Sequence, residues 1–195
     1  MIPKFIKLGV ETILKIICEK ITIRNIHIVK KNNNFNGIID ELYIKAESVI
    51  FNKINISNIN IYLRDLVIRF AFNKKRFVID KCFAEINMKL TSDNINETLF
   101  NKKWKSLKTS IESFVSMSFR NIEINNKSIY FISSDGLSDK NINYTLQYDE
   151  NSISLVNNIN KEKLSLLNDN SISVKNLLLC NSHIELKLNS EIIFN

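Results

Sequence analysis

The stretch Ile54-Asn55-Ile56-Ser57-Asn58-Ile59-Asn60-Ile61-Tyr62-Leu63 decides the fold of this chain. Isoleucine alternates with polar residues, and a period of two marks a strand with one apolar and one polar face. The alternation changes phase once, at Asn58. The same form recurs as Ile21-Thr-Ile-Arg-Asn25-Ile-His-Ile28 and as Ile172-Ser-Val-Lys-Asn176-Leu-Leu-Leu179. A one-residue shift turns side chains to the wrong face unless the backbone absorbs it. A bulge or tight bend is therefore expected at or beside Asn25, Asn58 and Asn176.

Outward from these segments, strands are expected at about 37–47, 65–72, 83–90, 119–124, 128–132, 142–148 and 152–156, and alternation returns at Ile184-Glu185-Leu186-Lys187-Leu188. One-faced strands on this scale imply mostly antiparallel sheet. Helical spacing occurs in two places. From Pro3, tolerated in a first helical turn, Ile2, Phe5, Ile6, Gly9, Val10, Ile13, Leu14, Ile16 and Ile17 fill an arc of about 180°. Lys4, Lys7, Glu11, Lys15 and Glu19 fill the opposite side, with Leu8 alone among the charges. Lys20 would fall inside the apolar arc, so the helix is expected to end before it. Thr91-Ser92-Asp93 is a capping cluster opening a second helical region, in which Trp104, Leu107, Ile111, Phe114 and Val115 form a stripe. The fold class read from these patterns is α+β, one domain over 1–195, with no linker or composition break.

The 195 residues are 45% hydrophobic, enough for a globular core. Only 3 Gly and 1 Pro are present, so Asn is expected at many turns. The charge of +7, from 27 Lys+Arg against 20 Asp+Glu, favours anionic partners. It is dispersed apart from Lys74-Lys75-Arg76 and Lys102-Lys103, which argues against a dedicated nucleic-acid stripe. Phe70 and Phe72 fall in the apolar phase of their strand, where they serve a core and not base stacking. Cys18, Cys82 and Cys180 have no metal spacing and read as reduced structural thiols. No apolar run spans a bilayer, and Lys7, Glu11 and Lys15 interrupt any signal-peptide core. A cytoplasmic location is expected, with a peripheral position on the cytoplasmic face of a membrane as its extension.

Catalytic constellations are not apparent. His27 and His183 lie on polar strand faces, and His183 shares its face with Glu185, a pairing that is no catalytic site by itself. Phosphate-loop, dinucleotide, zinc-protease and nucleophile-elbow motifs do not occur. Ser133-Ser134-Asp135-Gly136 has turn composition. An enzyme, a cofactor and a metal site are not expected.

Three stretches together resemble the LmeA-like phospholipid-binding family of bacteria, in its short members. The first runs from Gly37-Ile-Ile-Asp-Glu-Leu-Tyr-Ile-Lys-Ala46 to Ile56, after the leading helix and strand. The second is Ala84-Glu-Ile-Asn-Met-Lys-Leu90-Thr-Ser-Asp93-Asn-Ile95-Asn96-Glu-Thr-Leu99, a strand ending in a helix start, with spacing one residue different. The third is Val174 to Leu188, similar to the family's closing strand pair. Lys53 stands where the family usually has Gly, which bears on the turn there. The resemblance implies a long curved antiparallel sheet wrapped around an N-terminal amphipathic helix and a mid-chain helical segment, similar to half of a tubular lipid-binding fold. It also implies an apolar groove for acyl chains and phospholipid binding without catalysis.

On physical grounds Phe5, Ile6, Ile13, Ile16, Ile17, Trp104, Leu107 and Ile111 are the candidate apolar lipid contacts. Lys4, Lys7, Lys15, Lys102, Lys103 and Lys105 are the candidate headgroup contacts at an anionic membrane surface. Plain core packing is the competing reading of both stripes. The alternative function is a scaffolding β-protein with a sealed core that binds another protein; an open apolar groove separates the two.

Overall fold

A computed structural model describes the backbone of residues 4–29, 38–71, 76–79, 81–134 and 143–193, and the side chains of 6–29, 39–66, 82–134 and 143–191. Ile2, Pro3, Gly37, Phe72, Lys74, Lys75, Asp135 and Gly136 lie outside the described residues, as do the side chains of Lys4, Phe5, Phe70 and Arg76.

The chain is α+β and mostly antiparallel strand, as its alternation implies. In order it forms α1 (Lys4–Ile17), β1 (Lys20–Val29), β2 (Ile38–Phe51), β3 (Ile54–Ala71), β4 (Arg76–Ile79), β5 (Lys81–Thr91), α2 (Ser92–Leu99), a 3-10 turn (Lys102–Trp104) and α3 (Lys105–Val115). There follow β6 (Phe119–Asn125), β7 (Ser128–Ser133), β8 (Tyr144–Asp149), β9 (Ser152–Asn157), β10 (Lys163–Asn168), β11 (Ile172–Cys180) and β12 (His183–Ile193). The strands make two sheets. The first has the order β1-β2-β3-β5-β12-β11, with β4 paired to the far end of β3; the second runs β10-β9-β8-β7-β6. The segments read separately above as 54–63 and 65–72 are joined, as far as Ala71, in the single strand β3. Strand β10 was not expected, because only Leu164 and Leu166 alternate there between Lys and Asn residues.

The phase changes are absorbed in two ways. At Asn25 and Asn176 the register slips against the neighbouring strand, between Ile23 and Asn25 in β1 and between Val174 and Asn176 in β11. At Asn58 it does not slip: Glu47 pairs Asn58 and Val49 pairs Ile56, in unbroken register. Both strands change face together there. Ser48, across from Ser57, takes a left-handed backbone (φ 50°), and Ala46, Val49, Ile56 and Ile59 are all buried on one side. A second joint change occurs where Asp65 (φ 55°) stands across from Asp40. It keeps Leu42 and Ile39, on one strand, and Leu66, on the other, in the core. Such paired bends interrupt the ladder at one pair each and turn the two-strand ribbon without shifting its register.

One inner face of the first sheet carries the apolar interior, and two covers share it. Helix α1 lays Ile6, Val10 and Leu14, one stripe at four-residue spacing, on Ile26, Ile28, Leu42 and Ile44 of β1 and β2. The second sheet, through Ile124 and Ile153, packs with Val174, Leu177, Ile184 and Leu188 of β11 and β12. Cys18, Ile21, Ile61, Ile86 and Met88 join these regions through the hairpin of β2 and β3, so the interior is continuous.

Helix α2 stands in the lane that β5 vacates. Thr91 caps it, its hydroxyl accepting from the Asn94 amide (3.2 Å) while Asn94 accepts from the Thr91 amide (3.1 Å). Beyond the end of β5, Thr98 accepts the Asn55 N–H of β3 (3.0 Å) and Ser57 bonds Asn94. On the other side Asn96 mimics a strand. Its Oδ1 accepts from the Ile122 amide (2.8 Å) and its Nδ2 donates to the Ile122 carbonyl (3.1 Å). One short helix thus pairs backbone groups of both sheets, at Asn55 of β3 where β5 has ended and at Ile122 of the edge strand β6, since unpaired buried backbone groups are costly. The far end of the second core closes with a run of tilted rings, Phe119 to Phe131 (5.0 Å) and Phe131 to Tyr144 (5.2 Å).

Candidate functional site

The wide apolar arc of α1 is only partly used by the sheet. Ile6 and Leu14 are buried and belong to the core, so they are closed to any membrane. Ile13, Ile16 and Ile17 are exposed, Ile16 at 76%, as is Leu8 on the charged side. A helix resting on a flat sheet buries the narrow stripe beneath it, and an arc of about 180° overhangs that contact. The helix ends at Ile17, before Lys20, as the arc requires.

Two residues later the chain meets the tip of the β2–β3 hairpin. The Glu19 amide donates to the Ile50 carbonyl (2.8 Å), and the Glu19 carboxylate takes both the Lys53 backbone N–H (3.0 Å) and its ammonium. The hydrogen bond from Lys53 holds the Glu19 carboxyl below the usual carboxylate range. The tip itself is Asn52-Lys53, both left-handed (φ 53° and 66°), in a two-residue hairpin. Lys53 therefore occupies a conformation that glycine adopts freely.

The mid-chain helical region reaches the same tip. Trp104 donates its indole N–H to the Asn52 carbonyl (3.3 Å), and the Lys103 ammonium bonds the Asn52 side chain. The two stripes singled out in the sequence, 90 residues apart, are therefore brought to one end of the molecule. Ile16 and Ile17 approach it from α1, Phe51 (47% exposed) from the hairpin, and half-buried Trp104 from the 3-10 turn. Lys15, Lys102, Lys103 and Lys105 are exposed around them; Lys7 is exposed one helical turn or more away.

Behind this tip lies an apolar cavity of 230 Å³ between the two sheets, α2 and α3. Ile54, the cross-strand partner of Phe51, lines it, as do Leu107 and Ile111 of the second stripe and Phe131, Leu155 and Leu186 farther in. Thr98 is the one polar side chain among the described lining residues. Its hydroxyl is occupied, donating to the Asn94 carbonyl (2.7 Å) and accepting from Asn55. The wall facing the cavity is therefore hydrocarbon. Alongside, the inner face of the central strands is incompletely covered: Ile61, Leu63, Ile86, Met88 and Leu186 are half-buried, whereas Leu42, Ile44 and Ala46 on β2 are buried. This strip lies between the part of the sheet under α1 and the part under the second sheet.

The sequence reading missed Phe51, and of the cavity lining it named only Leu107 and Ile111, because Ile122, Ile129, Phe131, Leu146 and Leu155 belong to a second sheet that alternation alone does not reveal. Among the described residues no helix is long and apolar enough to cross a membrane. No family model matches the chain, and neither a curated protein nor a solved structure matches it.

Proposed function

We propose that this chain is a non-catalytic phospholipid-binding protein working at the surface of an anionic membrane. One acyl chain enters between Phe51 and Trp104 toward the cavity, while the headgroup stays among Lys15, Lys102, Lys103 and Lys105. The observation that carries this reading is the hydrocarbon-walled cavity of 230 Å³ directly behind a tip that is both apolar and basic. An apolar cavity of about 150 Å³ stays dry and takes up benzene, so this one suits a length of alkyl chain. Drug-sized pockets begin near about 300 Å³, so a whole two-chain lipid does not fit inside. The half-buried strip on β3 and β5 offers the remaining contact.

The magnitudes make the attachment reversible. Ile13, Ile16, Ile17 and Phe51 each gain about 1 kcal/mol on moving their exposed half into hydrocarbon. Each basic residue near an anionic surface adds about 1 kcal/mol. Neither set alone exceeds what one myristoyl chain supplies, which is marginal binding, so the account requires both. The half-buried strip favours a groove over the sealed core of a scaffold.

The test is uptake of a fluorescent fatty acid by the purified protein. Saturable binding at one site per chain, reduced by Ile111→Phe, which grows into the cavity, supports the reading. Absence of binding to the wild type overturns it.

A further inference from the structure

The outer face of the first sheet carries a second constellation, at the turn between β11 and β12. Cys180 pairs with His183 across a two-residue turn whose second member, Ser182, is left-handed (φ 68°). Directly opposed residues share a face, and so do residues two apart on one strand. Cys180, His183 and Glu185 therefore project together, and one ligand atom from each lies within 4.8 Å of the others.

The histidine is set in a specific way. Its Nδ1 lies 3.0 Å from the Asn181 carbonyl oxygen, which can only accept, so Nδ1 carries the proton. Its Nε2 then faces the Glu185 carboxylate oxygen at 3.3 Å. A ring protonated at Nδ1 alone would turn the Nε2 lone pair toward that negative oxygen; a second proton on Nε2, which makes an ion pair with Glu185, or a metal cation bound by both groups resolves the contact. The backbone carbonyl on the other nitrogen is the outer-shell partner that metal-ligating histidines use to fix their tautomer. Tetrahedral zinc with N and O ligands separates them by about 3.4 Å, close to the His183–Glu185 spacing.

We propose that Cys180, His183 and Glu185 form a divalent transition-metal site of the zinc class, with solvent water as the fourth ligand. The mixed S, N, O donor set favours zinc-like ions over magnesium or calcium, which take all-oxygen shells. Binding converts the Cys180 thiol to a thiolate and releases its proton to solvent. The site lies on the polar face of the sheet, opposite the apolar cavity, so it does not depend on the lipid-binding reading.

The test is titration of the metal-free full chain with cobalt(II), followed by competition with zinc and with magnesium. We expect a thiolate-to-cobalt charge-transfer band with tetrahedral d–d absorption, displaced by zinc and untouched by magnesium. Cys180→Ser should abolish the charge-transfer band, and His183→Gln should weaken binding at least about tenfold. Cys18→Ser should leave both intact, and far-ultraviolet circular dichroism should match wild type in all three. No charge-transfer band in the wild type, or one that survives Cys180→Ser, overturns the proposal.

Discussion

The indole nitrogen of Trp104 donates to the carbonyl oxygen of Asn52 across 3.3 Å, joining the turn before α3 to the tip of the β2–β3 hairpin. Through that contact, and through the Glu19–Lys53 pair, three segments distant in sequence share one end of the molecule. Trp104 is the single tryptophan of the chain, so its emission reports on this tip alone. Anionic vesicles should shift that emission to shorter wavelength as the half-buried ring enters the headgroup region. Emission that vesicles leave unchanged would mean that the tip does not enter the interface.

The split of α1 into a buried and an exposed stripe predicts opposite behaviour for neighbouring residues. Ile16→Glu should change stability by no more than about 0.5 kcal/mol, as surface substitutions do, and yet weaken vesicle binding. Leu14→Ala should cost about 2–5 kcal/mol by leaving a cavity under the helix. Urea denaturation compares the two.

Gly9 lies in the exposed arc, and a Cβ built there meets nothing within 4 Å. Gly9→Ala should stabilise the protein by about 0.5–1 kcal/mol, the helix-propensity difference between the residues. A destabilised variant in thermal melts would mean that the backbone at Gly9 is approached more closely than the helix face implies.

At Lys53 two effects compete. A left-handed non-glycine residue carries about 1–2 kcal/mol of strain, whereas an exposed ion pair, screened by solvent, contributes little. The backbone N–H to Glu19 survives in Lys53→Gly. Relief of strain should win, leaving Lys53→Gly at least as stable as wild type by urea midpoint, with less binding to anionic vesicles.

Acid should loosen the tip and the pairing of β5 with β12. The hydrogen bond from Lys53 lowers the folded-state pKa of Glu19, and the Lys187 hydrogen bond (2.9 Å) does the same for Glu85. A depressed carboxylate contributes stability that is fully present above its unfolded value, near about 4.3. That contribution is lost as pH falls through the lower folded value. The urea midpoint should therefore fall below about pH 4, and Glu19→Gln should flatten that slope.

Much of the fold was legible because alternation, helical periodicity and the Thr91 cap are local signals. The Asn25 and Asn176 bulges were legible from the phase of the leucines and isoleucines around them. What period two does not encode is partnership. The division into two sheets, the joint bends at Ser48 and Asp65, and the placement of α2 between two open edges all depend on contacts distant in sequence. The site was legible by halves. Ile13, Ile16, Ile17, Trp104 and the lysines could be named from their spacing, but the contacts of Trp104 and Lys103 with Asn52 could not. Ile6 and Ile16 fall in the same arc, and only the sheet beneath decides which is core. Cys180, His183 and Glu185 lie within six positions of one another, but that they share a face depends on the two-residue turn between β11 and β12.

The most direct test of the central claim is vesicle flotation of the purified chain with anionic and zwitterionic liposomes at low and high salt. The account predicts flotation with anionic vesicles that high salt reduces but does not abolish, because lysines steer and the isoleucines insert. Ile16→Glu with Ile17→Glu should remove the salt-resistant part. Failure of the wild type to float with either vesicle would contradict the account.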